Sequence, residues 1–283
     1  MNAAAAARPA RIWLCADDYG ISPAVNRGIR DLIDRGRLNA TSVMVVGPAV
    51  GRDEILALQT AARESPRCAI GLHATLTAPF RPLSIHFRPL DGGMFLSIPK
   101  LFRGGLSRRL DPEIIKAELK LQLTTFGELF GRAPDFVDGH QHVQLFPLVR
   151  DAFLEAVREL APAAWVRQAG RPGPLHRRLN APKAMFLDAL SARFRRQAAR
   201  AGVAVNPAFA GAYDFAKKPD FSRLMHQFLE DLPDESVVMC HPGFVDDVLV
   251  SLDPFTDQRQ REHAYLAGEQ FPALLAQKRV TLG

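Results

Sequence analysis

The chain has few cysteines, no long apolar run and no composition break, and each shortage removes a class of protein. Cys15, Cys68 and Cys240 are the only three cysteines among 283 residues, and they are widely spaced in apolar surroundings. An odd, scattered set suits reduced, buried thiols and excludes a disulfide scaffold, so the expected compartment is the cytoplasm. No stretch approaches the roughly 18 apolar residues of a membrane span. Residues 1–10 carry an alanine run without a basic leader and long apolar core, so no export signal is expected. No Ser/Gly-rich linker or charge block divides the chain, which predicts one domain over 1–283.

Several chemical signatures are missing too. There is no Walker-type phosphate loop, no Rossmann glycine fingerprint, no Gly-x-Ser-x-Gly elbow and no zinc-finger cysteine spacing. Cofactor-nucleotide, serine-nucleophile and nucleic-acid classes lose their usual support. Water activated within the site is the expected nucleophile. With 47% apolar residues the chain has ample material for a large core.

What is present begins with Ile12-Trp13-Leu14-Cys15-Ala16, an apolar run that ends in Asp17-Asp18-Tyr19-Gly20. Such a run predicts a strand covered on both faces, with Gly20 marking the exit. Two adjacent carboxylates repel, so keeping both ionised needs a compensating cation. A solvated Asp-Asp cap is the plainer reading of the same residues. Ser22-Pro23 then opens a helix with Val25, Ile29, Leu32 and Ile33 on its inner face, ending at Gly36. Residues 41–47 predict a second strand, 55–63 a helix, and Cys68 to His73 a third strand ending in a histidine.

The segment from about 79 to 110 loses regularity, with Phe80, Phe87, Phe95 and Phe102 among prolines and glycines. It is expected to be a lid or binding loop, or else an apolar flap packed on the barrel, because unstructured loops beyond about 15 residues are uncommon in compact domains. A helix follows over 113–129, with Ile114, Leu119, Leu123 and Phe126 facing inward. Phe136-Val137-Asp138-Gly139-His140-Gln141-His142 is the third strand end to deliver polar side chains. A helix over 151–160, a strand at 164–167 with Arg167 at its exit, a helix over 185–202 and strands at 203–205 and 237–240 complete the pattern. The last strand runs into His241-Pro242-Gly243.

Strands alternating with helices predict an α/β fold, specifically a distorted TIM-like (β/α) barrel in one domain with a long apolar lid loop. In such a barrel every strand exit opens onto one face, so Asp17, Asp18, His73, His140, His142 and His241 converge there. One carboxylate with two imidazoles is a catalytic metal set that leaves positions open. The His140 and His142 pair has same-face strand spacing but sits in a turn-prone segment, so ligation by both is not assumed. His241 also reads as a capping His-Pro-Gly turn. From Arg158 to Val203, ten Arg or Lys stand against two acids, although the whole chain carries only +6. That basic segment suits a solvated helix face or contact with an anionic membrane surface.

Ala16-Asp17-Asp18-Tyr19-Gly20 with Asn26, Thr41 to Met44, Gly71-Leu72-His73, Asp138 to Val143 and His241-Pro242-Gly243 together resemble, in this order, the YdjC-like carbohydrate deacetylases (the ChbG/HpnK family). The resemblance spans about residues 11–250. It implies removal of an N-acetyl group from an acetamido sugar, either a chito-oligosaccharide or a glycolipid, with a divalent metal ion, zinc or magnesium foremost. It implies Asp18, His73 and His140 as metal ligands, Asp17 as general base, His241 as general acid and Arg167 as the partner that orients Asp17. Tyr19, His142 and Phe95 are the substrate-contact candidates. Gln144 stands where the family often has another histidine. A metal-dependent phosphoesterase and a non-catalytic sugar- or lipid-binding barrel are the alternatives. A homodimer, a peripheral inner-membrane contact and no nucleic-acid partner complete the expectations.

Overall fold

The computed structural model describes residues 8–65, 67–171 and 182–282. Its strands are β1 (Ala10–Tyr19), β2 (Ala40–Val43), β3 (Ala69–Ala74), β4 (Phe136–Gly139), β5 (Trp165–Val166), β6 (Phe209–Ala210), β7 (Ser236–Cys240) and β8 (Val280–Thr281). They form one sheet in the order β5-β4-β3-β2-β1-β7-β6, with β8 added to the start of β1, and every strand pairing is parallel. Parallel strands need their crossovers on the outside, which buries both sheet faces and explains the unbroken apolar run of β1.

The sheet curls until its edges meet. Val166 at the end of β5 bridges Val205, and its amide donates to the Ala204 carbonyl at 2.8 Å. The Phe209 amide on β6 donates to the Gly170 carbonyl at 3.0 Å. The predicted α/β barrel is therefore present, distorted where β5 and β6 are short. Residues 203–205 do not form the expected strand; beyond the single Val205 bridge, the chain there turns through Asn206, whose carboxamide oxygen accepts from the Gln168 amide.

The helices are α1 (Pro23–Asp34), α2 (Arg52–Glu64), α3 (Ile98–Leu106), α4 (Pro112–Phe130), α5 (Val149–Leu160), α6 (Pro182–Ala201), α7 (Phe221–Phe228), α8 (Asp247–Leu252), α9 (Thr256–Ala267) and α10 (Gln270–Lys278). None of the described helices is long and apolar enough to cross a membrane. The Ser22 hydroxyl caps α1 by accepting from the Val25 amide, and the Asp111 carboxylate caps α4. Along α4, Leu119, Leu123 and Phe126 face inward as predicted, but the inner residue of the first turn is Ile115 rather than Ile114. The second strand is shorter than 41–47: it stops at Val43, and the chain folds over the Gly20 turn, with the Met44 amide donating to the Tyr19 carbonyl. A Cβ on Gly47 would lie 2.3 Å from the Gly20 carbonyl oxygen, so that close approach admits only glycine.

The 79–110 segment contains α3, a regular element in a stretch expected to be irregular, and Phe80, Phe87 and Phe95 are buried, as in an apolar flap packed on the barrel. The Glu118 carboxylate of α4 accepts from the amides of Leu83 and Ser84, at 3.1 and 2.9 Å, which pins the segment to the barrel. The basic segment is likewise dispersed. Arg167 is internal, Arg195 donates to Gln168, and Arg193, Arg196 and Arg200 lie on the exposed face of α6, whose inner face carries Ser191, Phe194 and Ala198. Arg177, Arg178 and the Lys183 side chain lie outside the described residues.

Candidate active site

The first two acids reach the same cavity because β1 is irregular at its end. On a regular strand neighbouring side chains point to opposite faces, so Asp17 and Asp18 would diverge. The β1–β2 register slips between Ala16 and Tyr19, and Asp18 adopts φ +69°. A non-glycine residue in the left-handed region costs on the order of 1–3 kcal/mol and persists only when surroundings hold it. Here the Gly20 amide donates to the Asn26 side chain at 2.6 Å and the Ile21 amide to the Asp18 carbonyl at 3.1 Å. Both carboxylates consequently line one cavity.

His73 from the end of β3 and His140 just past β4 close on Asp18. The His73 Nε2 and His140 Nδ1 atoms are 3.2 and 2.9 Å from Asp18 Oδ1. These three residues can present one donor atom each within 4.8 Å of one another, a set able to hold a metal ion. His73 Nδ1 lies 2.6 Å from Asp138 Oδ1, a contact that fixes the ring and leaves Nε2 facing Asp18. Burial opposes a charge on His73, but Asp138 and then Asp17 outweigh it and raise its pKa to about 10. The pocket thus favours a cation at this point, as a divalent ion would supply. The donor set fits such an ion.

Asp17 is held differently. Arg167, 0% exposed, grips it with Nη1 to Oδ1 at 2.8 Å and Nη2 to Oδ2 at 2.6 Å, and Nη2 also lies 2.8 Å from Asp138 Oδ2. Burial would raise the Asp17 pKa, yet Arg167 and then His73 outweigh it and hold the carboxyl below its usual range. Opposite, His241 Nε2 lies 4.0 Å from Asp17 Oδ2. Burial lowers the His241 pKa to about 4, with Asp18 and Asp17 opposing. The ring therefore rests neutral near pH 7 and can donate only after it has taken up a proton.

Of the three substrate-contact candidates, His142 lines the cavity and Tyr19 and Phe95 do not. Gln141 and His142 both take left-handed φ, so His142 swings out of the donor cluster and packs edge-on against Phe209 at 5.5 Å while still lining the cavity. Burial and then Arg167 lower its pKa to about 3. Tyr19 and Phe95, expected to touch substrate, do not line the cavity. Tyr19 turns to the opposite face of β1, donating from its hydroxyl to the Glu54 carbonyl and accepting from Arg30, and Phe95 packs on Phe87 within the lid segment.

The structure adds residues to which the sequence reading assigned no role. Asp138 was visible as part of a motif, and strand alternation with His140 would have pointed it inward. Ser42 Oγ lies 3.0 Å from His73 Nδ1. Most unexpected is α9, whose buried face is polar except for Leu266: Gln258, Arg259, Glu262 and His263. Arg259 reaches Asp18, while Glu262 accepts from the His241 amide at 2.6 Å and from the Tyr213 hydroxyl. Only the depth of a helix in the fold reveals such residues.

The cavity measures about 790 Å³. Beyond the reacting cluster its wall is mainly apolar, including Phe80, Ile98, Phe146, Phe186, Phe215 and Phe255. Phe186 and Phe255 stand 47% and 43% exposed, so its mouth is an apolar rim around a charged floor.

Fold and geometry together define an α/β-barrel protein with a buried carboxylate and histidine site at the C-terminal ends of its strands. Within that class the chain belongs to the YdjC-like protein family, whose model matches residues 11–277. The chitooligosaccharide deacetylases of Yersinia pestis (strain Pestoides F) and Yersinia pseudotuberculosis serotype O:3 (strain YPIII) are each 27% identical to it over 272 residues, 95% of this chain and 95% of each relative. A solved structure from Enterococcus faecalis V583, named for cellobiose-phosphate cleavage, superposes with a TM-score of 0.74 at 20% identity, over 97% of both chains. The Bc1960 peptidoglycan N-acetylglucosamine deacetylase superposes with a TM-score of 0.50 at 10% identity, over 95% of this chain and 83% of that one. At those identities the two structures speak to fold alone.

Proposed function

We propose that the protein is a metal-dependent carbohydrate N-deacetylase. One observation carries this reading: an ionised Asp17 and the Asp18, His73 and His140 donor set share a cavity floor with His241 on the other side of Asp17. The deacetylase names of the Yersinia relatives support it. Asp18, His73 and His140 hold the ion, which when bound supplies Lewis acidity that polarises the amide carbonyl and lowers the pKa of water.

Asp17 takes the proton from the water that adds to the acetamide carbon. Arg167, locked between Asp17 and Asp138, keeps that carboxylate ionised and aimed. As the C–N bond breaks, His241, whose Nε2 faces Asp17 Oδ2 at 4.0 Å, passes to the sugar nitrogen a proton that its neutral ring takes up in the site after Asp17 has deprotonated the water. Acetate and the free amine are the products. Free thiols at Cys15, Cys68 and Cys240 support a cytoplasmic setting.

The apolar rim favours a finer substrate class, an acetamido sugar that carries an apolar group, over a bare oligosaccharide. Phe186, Phe255 and Ile98 would meet that group while the sugar sits on the charged floor. The test strips the protein with chelator, restores zinc, magnesium, manganese or cobalt singly, and measures acetate from soluble and lipid-linked acetamido sugars beside phosphate from phosphomonoesters. Metal-dependent acetate release is expected, with higher kcat/KM for the lipid-linked sugar. Phosphate without acetate would overturn the deacetylase reading, and equal kcat/KM for headgroup and glycolipid would remove the apolar-group reading.

A further inference from the structure

Helix α9 delivers Arg259, 4% exposed, to the back of Asp18. Its Nη2 lies 2.6 Å from Asp18 Oδ2, while the other oxygen, Oδ1, faces His140 and His73. The same Nη2 is 2.7 Å from Asp253 Oδ2, and Nε donates to that oxygen at 2.9 Å. Asp253 lies between α8 and α9 on the cavity rim, and the Arg259 carbonyl accepts from the Gly243 amide, just past His241. One guanidinium therefore ties a proposed metal ligand to the mouth of the cavity.

We infer that Arg259 is a positioning residue that claims one oxygen of Asp18, so that the carboxylate offers its cation a single oxygen, and that Asp253 sets how strongly Arg259 does so. The inference rests on the metal reading above. Its physical basis is a competition for charge. Asp18 is buried with a fixed cation on one oxygen, so an incoming ion meets a carboxylate already partly neutralised and also feels the guanidinium directly. A ligand shared in this way binds the ion less tightly and leaves it more electron-poor, which suits polarising a carbonyl. Asp253 works in the opposite sense. By sharing the guanidinium, it draws positive charge off Asp18.

The two residues make opposite predictions for the same measurement. Replacing Arg259 with Met leaves Oδ2 of the buried Asp18 without its cation in the metal-free protein, with only the His73 and His140 rings on Oδ1, the more costly state. Binding an ion relieves that state, so affinity should rise. In chelator competition with zinc or cobalt alone, Arg259→Met is expected to lower Kd at least tenfold. Asp253→Asn, which frees the guanidinium for Asp18, is expected to raise Kd several-fold. By linkage the metal-induced gain in Tm should be larger than wild type in Arg259→Met and smaller in Asp253→Asn. An arginine that serves only as a strut would lower the Tm of metal-free and metal-loaded protein equally and shift both Kd values in the same direction, and that result overturns the inference. If Arg259→Met does not fold, the direction of the Asp253→Asn shift alone decides: a tighter or unchanged Kd refutes the competition. Wild-type protein that binds no divalent ion would instead remove the metal reading itself, so the two failures are separable.

Discussion

Asp17 and Asp18 are neighbours with different partners, and exchanging each for Asn should separate their roles. Asp17 shares Arg167 with Asp138, whose Oδ2 lies 2.8 Å from Nη2. Stranding a buried charge costs about 3–5 kcal/mol, but Asp17→Asn leaves Arg167 a second carboxylate and a carbonyl acceptor, so a loss of about 2 kcal/mol is expected. At roughly 2–4 °C per kcal/mol for a chain of this size, Tm should fall by about 4–8 °C, and the variant stays folded at 25 °C. The donor atoms of Asp18, His73 and His140 are untouched, so metal Kd should stay within about tenfold of wild type. Turnover should fall by about 10²–10⁴, the usual loss with a general base. Asp18→Asn instead removes the only anion of the donor set and should weaken metal binding by more than the roughly 100-fold of an outer-shell change. Chelator competition gives Kd, acetate release gives kcat, and thermal denaturation gives Tm. Equal metal content with equal residual activity in the two variants would refute the assignment, as would a Kd in Asp17→Asn weakened as much as in Asp18→Asn.

The polar inner face of α9 predicts a pH effect. Burial raises the Glu262 pKa to about 7, with the Tyr213 hydroxyl and the His241 amide opposing, so between the unfolded value near 4.5 and about 7 the folded chain binds the extra proton. Stability from this group is therefore present at the acid end of that window and lost as pH rises through it, by on the order of 3 kcal/mol at most. Glu262→Gln should flatten the wild-type slope in urea denaturation series from pH 4.5 to 7.5, and an unchanged slope would count against the buried carboxyl as its source. At Gly71, an added Cβ would lie 2.5–2.6 Å from the Phe136 ring, which is itself stacked on Trp165 at 4.6 Å and cannot retreat freely. Gly71→Ala should destabilise the protein by about 1–3 kcal/mol through overpacking on the strand that carries His73. Urea denaturation with no loss in midpoint would show that the ring yields more easily than its stacking implies.

Much of the site was legible because parallel barrels place chemistry at strand exits. Apolar runs ending in Asp17-Asp18, His73, the Asp138 to His142 stretch and His241 each announced a strand and its polar end, and strand order did the rest. Arg167 was legible for the same reason. Tyr19 and Phe95 were misread because adjacency in sequence does not say which face a side chain takes. Regular alternation would have put Tyr19 on the face of Asp17; the irregularity at Asp18 instead carries it to the helix side, where Arg30 and Glu54 hold it, and Phe95 completes an aromatic pair inside the lid segment.

Sequence alone, then, determined the alternating strands and helices, the strand-end acids and imidazoles and the family, since these depend on local hydrophobic pattern and short motifs. Tertiary structure decided what depends on direction and distance. The bulge that turns both Asp17 and Asp18 inward, the left-handed turn that sends His142 away from His140, and the division of Asp18 between two histidines and Arg259 all arise from contacts between segments far apart in the sequence or from backbone angles no composition specifies. Helix α9 is the clearest case. No strand end or motif marks it in the sequence, and only its packing on α1 and α7, which brings Arg259 to Asp18 and Glu262 to the His241 amide, makes those two side chains part of the site.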